Sequence, residues 1–194
     1  MSSPIANLLE PAAAAVTLLC VYLAVKQRVE TWPIGLVGVS LYAVVFYRAG
    51  LYANAGLQLV FAAFSVYGWY QWLRGGPSRT ALSVSRTPRR LWLGSLAAAA
   101  VLGIAGTLLL ARPGKNLLAF FDSALTAFSL AAQYLMTRKY LENWILWVAV
   151  DVVYTALFVT QKLYYTAVLY AAFTVLAWRG YREWRDALPP GTPA

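Results

Sequence analysis

Seven near-continuous apolar runs, over residues 8–25, 33–47, 51–73, 91–111, 117–136, 144–160 and 162–179, leave this chain few folds to choose from. A helix crossing a bilayer needs roughly 17 to 25 such residues, and all but two of the runs are comfortably of that kind. With 61% hydrophobic and only 12% charged residues, and a mean hydropathy of +0.60, the chain falls outside the soluble range. The expected fold is an all-α polytopic membrane protein of seven transmembrane helices. Eight Trp and thirteen Tyr gather near the ends of the runs, where amphipathic rings sit at the headgroup level.

The net charge of +9 would suggest a nucleic-acid partner in a soluble protein. Here the basic residues lie between apolar runs and set orientation instead, so nucleic acid is excluded as a partner and the lipid bilayer takes its place. Placing the N-terminus outside puts twelve Lys and Arg in the cell: Lys26, Arg28, Arg74, Arg79, Arg86, Arg89, Arg90, Arg138, Lys139, Arg179, Arg182 and Arg185. Four stay outside, namely Arg48, Arg112, Lys115 and Lys162. The expected topology is therefore N-terminus out, C-terminus cytoplasmic. The first run has no Lys or Arg before it and reads as a retained span rather than a signal peptide. The single cysteine, Cys20, rules out an intramolecular disulfide and reads as a buried spectator.

Sliding the chain by 112 residues aligns positions 10–72 with 122–184 without a gap, and sixteen of the 63 pairs are identical. They include Glu30 with Glu142, Trp32 with Trp144, Tyr42 with Tyr154, Gly68 with Gly180 and Trp72 with Trp184. Compositional bias does not put Trp, Gly and Glu pairs at one offset, so the chain reads as a duplication. Each copy holds three spans, and a direct copy keeps its orientation only if one more span intervenes. The Ala-, Leu- and Gly-rich run 91–111 supplies it, suited by its small residues to close helix packing. The expected organisation is three plus one plus three, with parallel repeats related by an axis along the membrane normal, as in transporters. By residue number it comprises a first repeat over 1–73, a basic linker and linking helix over 74–116, a second repeat over 117–185 and a tail over 186–194.

A carboxylate at a helix centre costs about 2.5 to 3.5 kcal/mol to insert, so each one is a functional hypothesis. Asp151 stands near the middle of the sixth run. Trp144, Trp147, Asp151 and Tyr154 are spaced three, four and three, placing two indoles, a charge and a hydroxyl on one helix face. In the fifth run Asp122, Thr126, Ser129 and Gln133 also share a face, as do Asn54, Gln58, Ser65 and Trp69 in the third. The predicted substrate-binding set is Trp147, Asp151, Trp144, Gln133, Gln58, Asn54 and Tyr154. Asp122, nearer a helix end, is expected with Thr126 and Trp69 at a gate or entrance. Trp147, Asp151 and Gln133 correspond to Gly35, Val39 and Val21, so the second copy is expected to carry the binding chemistry. Trp144 and Tyr154 have identical mates in Trp32 and Tyr42, which points to a structural task.

A lone anion beside aromatic rings, with few bases nearby, suits a flat cationic or neutral aromatic ligand. A phosphorylated one would want Arg or a helix N-terminal nest. The chain has no His, no Gly-x-x-x-x-Gly-Lys-Ser/Thr loop and no hydrolase motif, so neither an enzyme nor a nucleotide-driven pump is expected, and no cofactor or metal.

The stretches Trp32-Pro33-Ile34-Gly35, Leu51-Tyr52-Ala53-Asn54 with Gln58, and Ser65-Val66-Tyr67-Gly68-Trp69-Tyr70-Gln71-Trp72 resemble the nicotinamide riboside transporter (PnuC) family. So do Glu142-Asn143-Trp144-Ile145-Leu146-Trp147 with Asp151, Lys162-Leu163-Tyr164 and Gly180-Tyr181-Arg182-Glu183-Trp184. The resemblance implies a bacterial inner-membrane facilitator with a SWEET-like fold, commonly a homotrimer, whose cargo is trapped inside by phosphorylation. It also implies a site built on Trp-x-x-Trp-x-x-x-Asn/Asp, here Trp144, Trp147 and Asp151, with Asp where the family also uses Asn. Thiamine or another vitamin or nucleoside, ion-coupled uptake, and a non-transporting receptor are the alternatives.

Overall fold

A computed structural model describes residues 4–48, 50, 52–110 and 116–189. Among them are seven α-helices: α1 (Pro4–Val25), α2 (Thr31–Arg48), α3 (Tyr52–Arg74), α4 (Arg89–Leu110), α5 (Asn116–Thr137), α6 (Asn143–Thr160) and α7 (Tyr164–Asp186). Arg112, Lys115 and the tail from 190 onward, which enter the topology argument above, lie outside the described residues. Each apolar run does become a helix, with one extension. The last was expected over 162–179, but α7 continues to Asp186 because Arg179, Arg182 and Arg185 are good helix formers beyond the apolar stretch.

Among the described residues three helices are long and apolar enough to cross a membrane by composition: Thr31–Arg48, Arg89–Leu109 and Asn143–Thr160, with a shorter apolar stretch at Pro11–Val25. To that extent the seven near-continuous runs differ in how apolar they are. The other helices are diluted by polar residues, such as Asn54, Gln58 and Gln71 in α3 and Asp122 and Gln133 in α5.

The chain divides into two compact units, residues 1–83 and 84–194. Within the first, α2 packs on both α1 and α3; within the second, α4 packs on α5, and α6 on both α5 and α7. Local geometry recurs 112 residues on. The bounds of α1, α2 and α3 reappear as those of α5, α6 and α7. The turn residues Gln27 (φ 54°) and Lys139 (φ 52°) are both left-handed, as are Gly50 (φ 73°) and Lys162 (φ 61°). Short connections between packed helices favour such a residue at the helix end.

The ring contacts recur too. In the first unit Trp32 meets Trp72 edge to face, with centroids 5.2 Å apart and planes at 90°; in the second, Trp144 meets Trp184 at 5.4 Å and 89°. Both edge-on pairs lie in the favoured range for aromatic contacts. Each first indole lies flat against a glycine. A Cβ at Gly68 would collide with the Trp32 ring, and one at Gly180 would stand 2.5 Å from Trp144. Tyr42 stacks on Phe46, and Tyr154 on Phe158, both at 5.8 Å.

The second unit has a clasp without an equivalent among the described residues of the first. Ser85 bridges to Tyr140, donating its N–H to the Lys139 carbonyl at 3.1 Å and accepting from the Leu141 N–H at 2.9 Å. One oxygen of Glu142 then accepts from the Thr87 N–H at 2.7 Å and the Thr87 hydroxyl at 2.6 Å, and the other pairs with Arg86 at 3.5 Å. Thr87 stands two residues before α4, so Glu142 fixes the entry of that helix onto the α5–α6 turn. Its mate Glu30 pairs instead with the neighbouring Arg28 at 2.8 Å, both largely exposed. Burial in the same turn pushes the Lys139 ammonium down to about 8. Glu142→Ala strands a donor at each of Thr87 N and Oγ1, and we expect it to cost about 2 to 4 kcal/mol of stability. Glu30→Ala, at a solvent-exposed pair, should leave the melting temperature nearly unchanged; thermal melts of the two purified variants give the comparison.

Candidate functional site

The second unit gathers three of the predicted residues around the phenol of a fourth, Tyr154. Tyr154 on α6 lies close to Thr126 on α5 and within electrostatic range of both Asp122 and Asp151. Asp122 is exposed, whereas Asp151 is buried at 6% exposure. Among the described residues no ion pair neutralises Asp151. Its backbone carbonyl accepts from the Thr155 hydroxyl at 2.7 Å, which takes up a polar side chain that would otherwise face lipid.

The remaining members of the predicted α6 face part company. Trp147 is half-buried, packed against a core of Ala132, Leu135 and Leu146, and its indole N–H is buried without a hydrogen-bond partner. An unpartnered donor one turn from a buried carboxylate is what a ligand with an acceptor would satisfy. Trp144 is 1% exposed and held between Trp184 and Gly180, as Trp32 is between Trp72 and Gly68. That geometry gives Trp144 packing partners rather than an open ring face. Gln133 is half-buried on α5.

Asn54, Gln58 and Trp69 lie on α3, in the first unit. Asn54 and Trp69 are exposed and Gln58 is half-buried. Trp69 lines an open groove of about 300 Å³ with Val66, Tyr70, Leu73 and Arg74.

An aromatic cluster behind Tyr154 was not anticipated from the sequence. Tyr170 on α7 lies 4.9 Å from Tyr154 and 5.1 Å from Phe158, and meets Phe173 edge to face at 5.7 Å. The available signal was spacing, since Tyr154 and Phe158 are four apart and Tyr170 and Phe173 three apart. The repeat mate of Tyr170 is Gln58, so the two copies place an aromatic ring and an amide at equivalent positions.

Residues 7–186 match the family described as nicotinamide mononucleotide transporter. The chain belongs to that family. This transporter is similar to the nicotinamide riboside transporter PnuC of Escherichia coli, 30% identical over 192 residues, covering 86% of this chain and 80% of the relative. It is also similar to the riboflavin/roseoflavin transporter RibM of Streptomyces davaonensis, 31% identical over 188 residues, covering 91% and 87%. Among solved structures, the crystal structure of the vitamin B3 transporter PnuC superposes with a TM-score of 0.71 at 25% identity, covering 92% of this chain and 81% of that one. The resemblance to PnuC noted in the sequence is thus borne out. The chain is an integral membrane protein, and its relatives are transporters, not enzymes.

Proposed function

We propose that this chain carries nicotinamide riboside across the bacterial inner membrane by facilitated diffusion, with the cargo trapped inside by phosphorylation. The observation that carries this reading is Asp151, a carboxylate buried in the middle of α6 with no ion pair among the described residues, in a chain whose relatives include nicotinamide riboside transporters. A pyridinium nucleoside brings the missing positive charge and a flat ring for Trp147. Gln133, on the neighbouring α5, is suited to the ribose hydroxyls. The exposed Asp122 is suited to the entrance.

The chain order of three helices, one helix and three helices is supported by helix bounds that recur 112 residues on. The distribution of Lys and Arg supports an external N-terminus and cytoplasmic C-terminus. A homotrimer is the assembly implied by the family resemblance.

A second cargo is favoured by a specific observation: the sequence similarity to RibM extends over 91% of this chain, against 86% for the riboside transporter of Escherichia coli. A flavin offers Asp151 an imide N–H in place of a cation. The test is uptake of labelled nicotinamide riboside, thiamine and riboflavin into proteoliposomes with and without an imposed ion gradient. Saturable riboside equilibration that an ionophore leaves unchanged is the expected result. Riboflavin or thiamine flux instead reassigns the cargo, ionophore-sensitive accumulation makes the carrier ion-coupled, and binding without flux makes the chain a receptor.

A further inference from the structure

The C-terminal part of α3 presents two distinct faces. Ser65, Gly68 and Trp72, spaced three and four apart, are buried, with Gly68 and Trp72 both against Trp32. Val66, Trp69, Tyr70, Leu73 and Arg74 are all exposed and line the groove of about 300 Å³. Its walls are apolar or aromatic up to the end of the helix, where Arg74 supplies the one charge among them. Among the described residues Arg74 is in no ion pair, and the five arginines from Arg74 to Arg90 have no acid between them. The loop beyond turns back on the helix, the Leu82 N–H donating to the Trp72 carbonyl at 3.1 Å, and carries a second exposed cation, Arg79. From Val66 to Arg74 the groove runs ~12 Å at 1.5 Å per residue. A hydrocarbon core is about 30 Å thick, so the groove lies within one leaflet, too short a seam for a second spanning helix and long enough for part of an acyl chain. Trp69 and Tyr70 suit the headgroup boundary near its charged end.

We propose that this groove binds an anionic phospholipid, one acyl chain lying along Val66, Tyr70 and Leu73 and the phosphate pairing with Arg74. In the topology proposed above, that lipid belongs to the cytoplasmic leaflet, where anionic headgroups attract basic residues at helix ends. The repeat gives independent support, because the scaffold does not itself demand such a face. The mates of Val66, Trp69, Tyr70, Leu73 and Arg74 are Trp178, Tyr181, Arg182, Arg185 and Asp186. There Trp178 stacks on Tyr181 with centroids 5.9 Å apart, two of the apolar positions are arginines, and Arg185 pairs with Asp186 at 3.3 Å. The second copy thus covers and neutralises the same stretch with its own side chains. The first leaves Tyr70 at 55% and Leu73 at 49% exposure beside an unneutralised arginine. Apolar surface next to a lone cation is what a lipid tail and its phosphate complete together.

The test titrates the purified chain in detergent with phosphatidylglycerol or phosphatidylcholine of matched acyl chains, and reads bound lipid by native mass spectrometry. Phosphatidylglycerol should bind about fivefold more tightly, the contribution of one arginine near an anionic headgroup. Arg74→Gln should remove that preference and Arg74→Lys should keep most of it. Val66→Trp, which copies the second repeat, should fill the groove and weaken both lipids with every charge in place. As a second readout, brominated phosphatidylglycerol should quench indole fluorescence in a phase that saturates at low lipid, and Trp69→Phe should lose that phase. Equal binding of the two lipids by the parent chain overturns the proposal, as does a preference that survives Arg74→Gln or a quenching phase that survives Trp69→Phe. A preference that inorganic phosphate competes away and Val66→Trp leaves intact makes Arg74 a bare anion site and overturns the lipid assignment. Loss of oligomeric mass in Val66→Trp, with lipid binding unchanged, gives the groove to a second copy of the chain instead. Every arm is read without cargo, so the result is independent of the role of Asp151.

Discussion

Gly180→Ala should destabilise the protein by about 1 to 3 kcal/mol, the usual cost of overpacking, although alanine is the better helix former by about 1 kcal/mol. The sign turns on Trp144. Its ring lies where the new Cβ would be, 2.5 Å away at Cε2, and a 1% exposed indole wedged against Trp184 has nowhere to move. Gly68→Ala should behave alike in the first unit, against Trp32. Gly56 and Gly94 are the controls, because a Cβ there meets nothing within 4 Å, and Ala at either should stabilise by about 0.5 to 1 kcal/mol. Thermal unfolding of the four purified variants separates the two classes. Combining Gly180→Ala with Trp144→Leu should abolish the extra cost of the alanine. If Gly180→Ala melts with the controls, the glycine–tryptophan contact is not what sets the α6–α7 approach.

Asp151→Ala is expected to weaken nicotinamide riboside binding on the order of a hundredfold while making the protein more stable. Removing one partner of a buried charge pair costs roughly 2 to 5 kcal/mol of binding. In the cargo-free protein, by contrast, the carboxylate is buried without an ion pair among the described residues, so its removal relieves a desolvation cost of about 1 to 3 kcal/mol. Asp151→Asn should lose nearly as much affinity, since it keeps shape but not charge. Riboflavin affinity, if the protein has any, should fall much less, because no full charge is lost. Calorimetric titration and melting curves on the same samples give both quantities. An alanine variant that binds the riboside normally and melts lower would make Asp151 interhelical glue, and the cargo site would have to be sought elsewhere.

Much of the fold was legible because lipid is an unforgiving solvent: an apolar run long enough to span it has little choice but to be helical. The 112-residue offset read from Trp32, Gly68 and Trp72 reappears in helix bounds and ring contacts. Periodicity was less informative about partners. It placed Trp144, Trp147, Asp151 and Tyr154 on one face, but a face meets more than one neighbour. Trp144 packs on α7, Trp147 on the core beside α5, and Tyr154 on both helices. Hydropathy also overstated how apolar α3, α5 and α7 are, because a few scattered polar residues such as Asn54, Gln58, Asp122 and Gln133, or a charged last turn as in α7, leave a run nearly continuous. In the sequence Glu142 stands out as an acid repeated at Glu30 and as the start of a stretch that resembles the family. Nothing in the sequence marked it as the acceptor for Thr87, 55 positions earlier, since that contact depends on how the linker folds back.

The grip of Glu142 on Thr87 decides where this polypeptide can be severed for use as a two-part sensor. A break between α4 and α5, the natural guess from an intervening helix, would leave the clasped linker and its turn on separate fragments. A break near residue 83 leaves the clasp whole, with the Ser85 bridge and the Glu142 contacts all on the longer piece. Reassembly of two such pieces, each fused to half of a reporter enzyme, would then record how the halves of a vitamin carrier find each other in a living membrane.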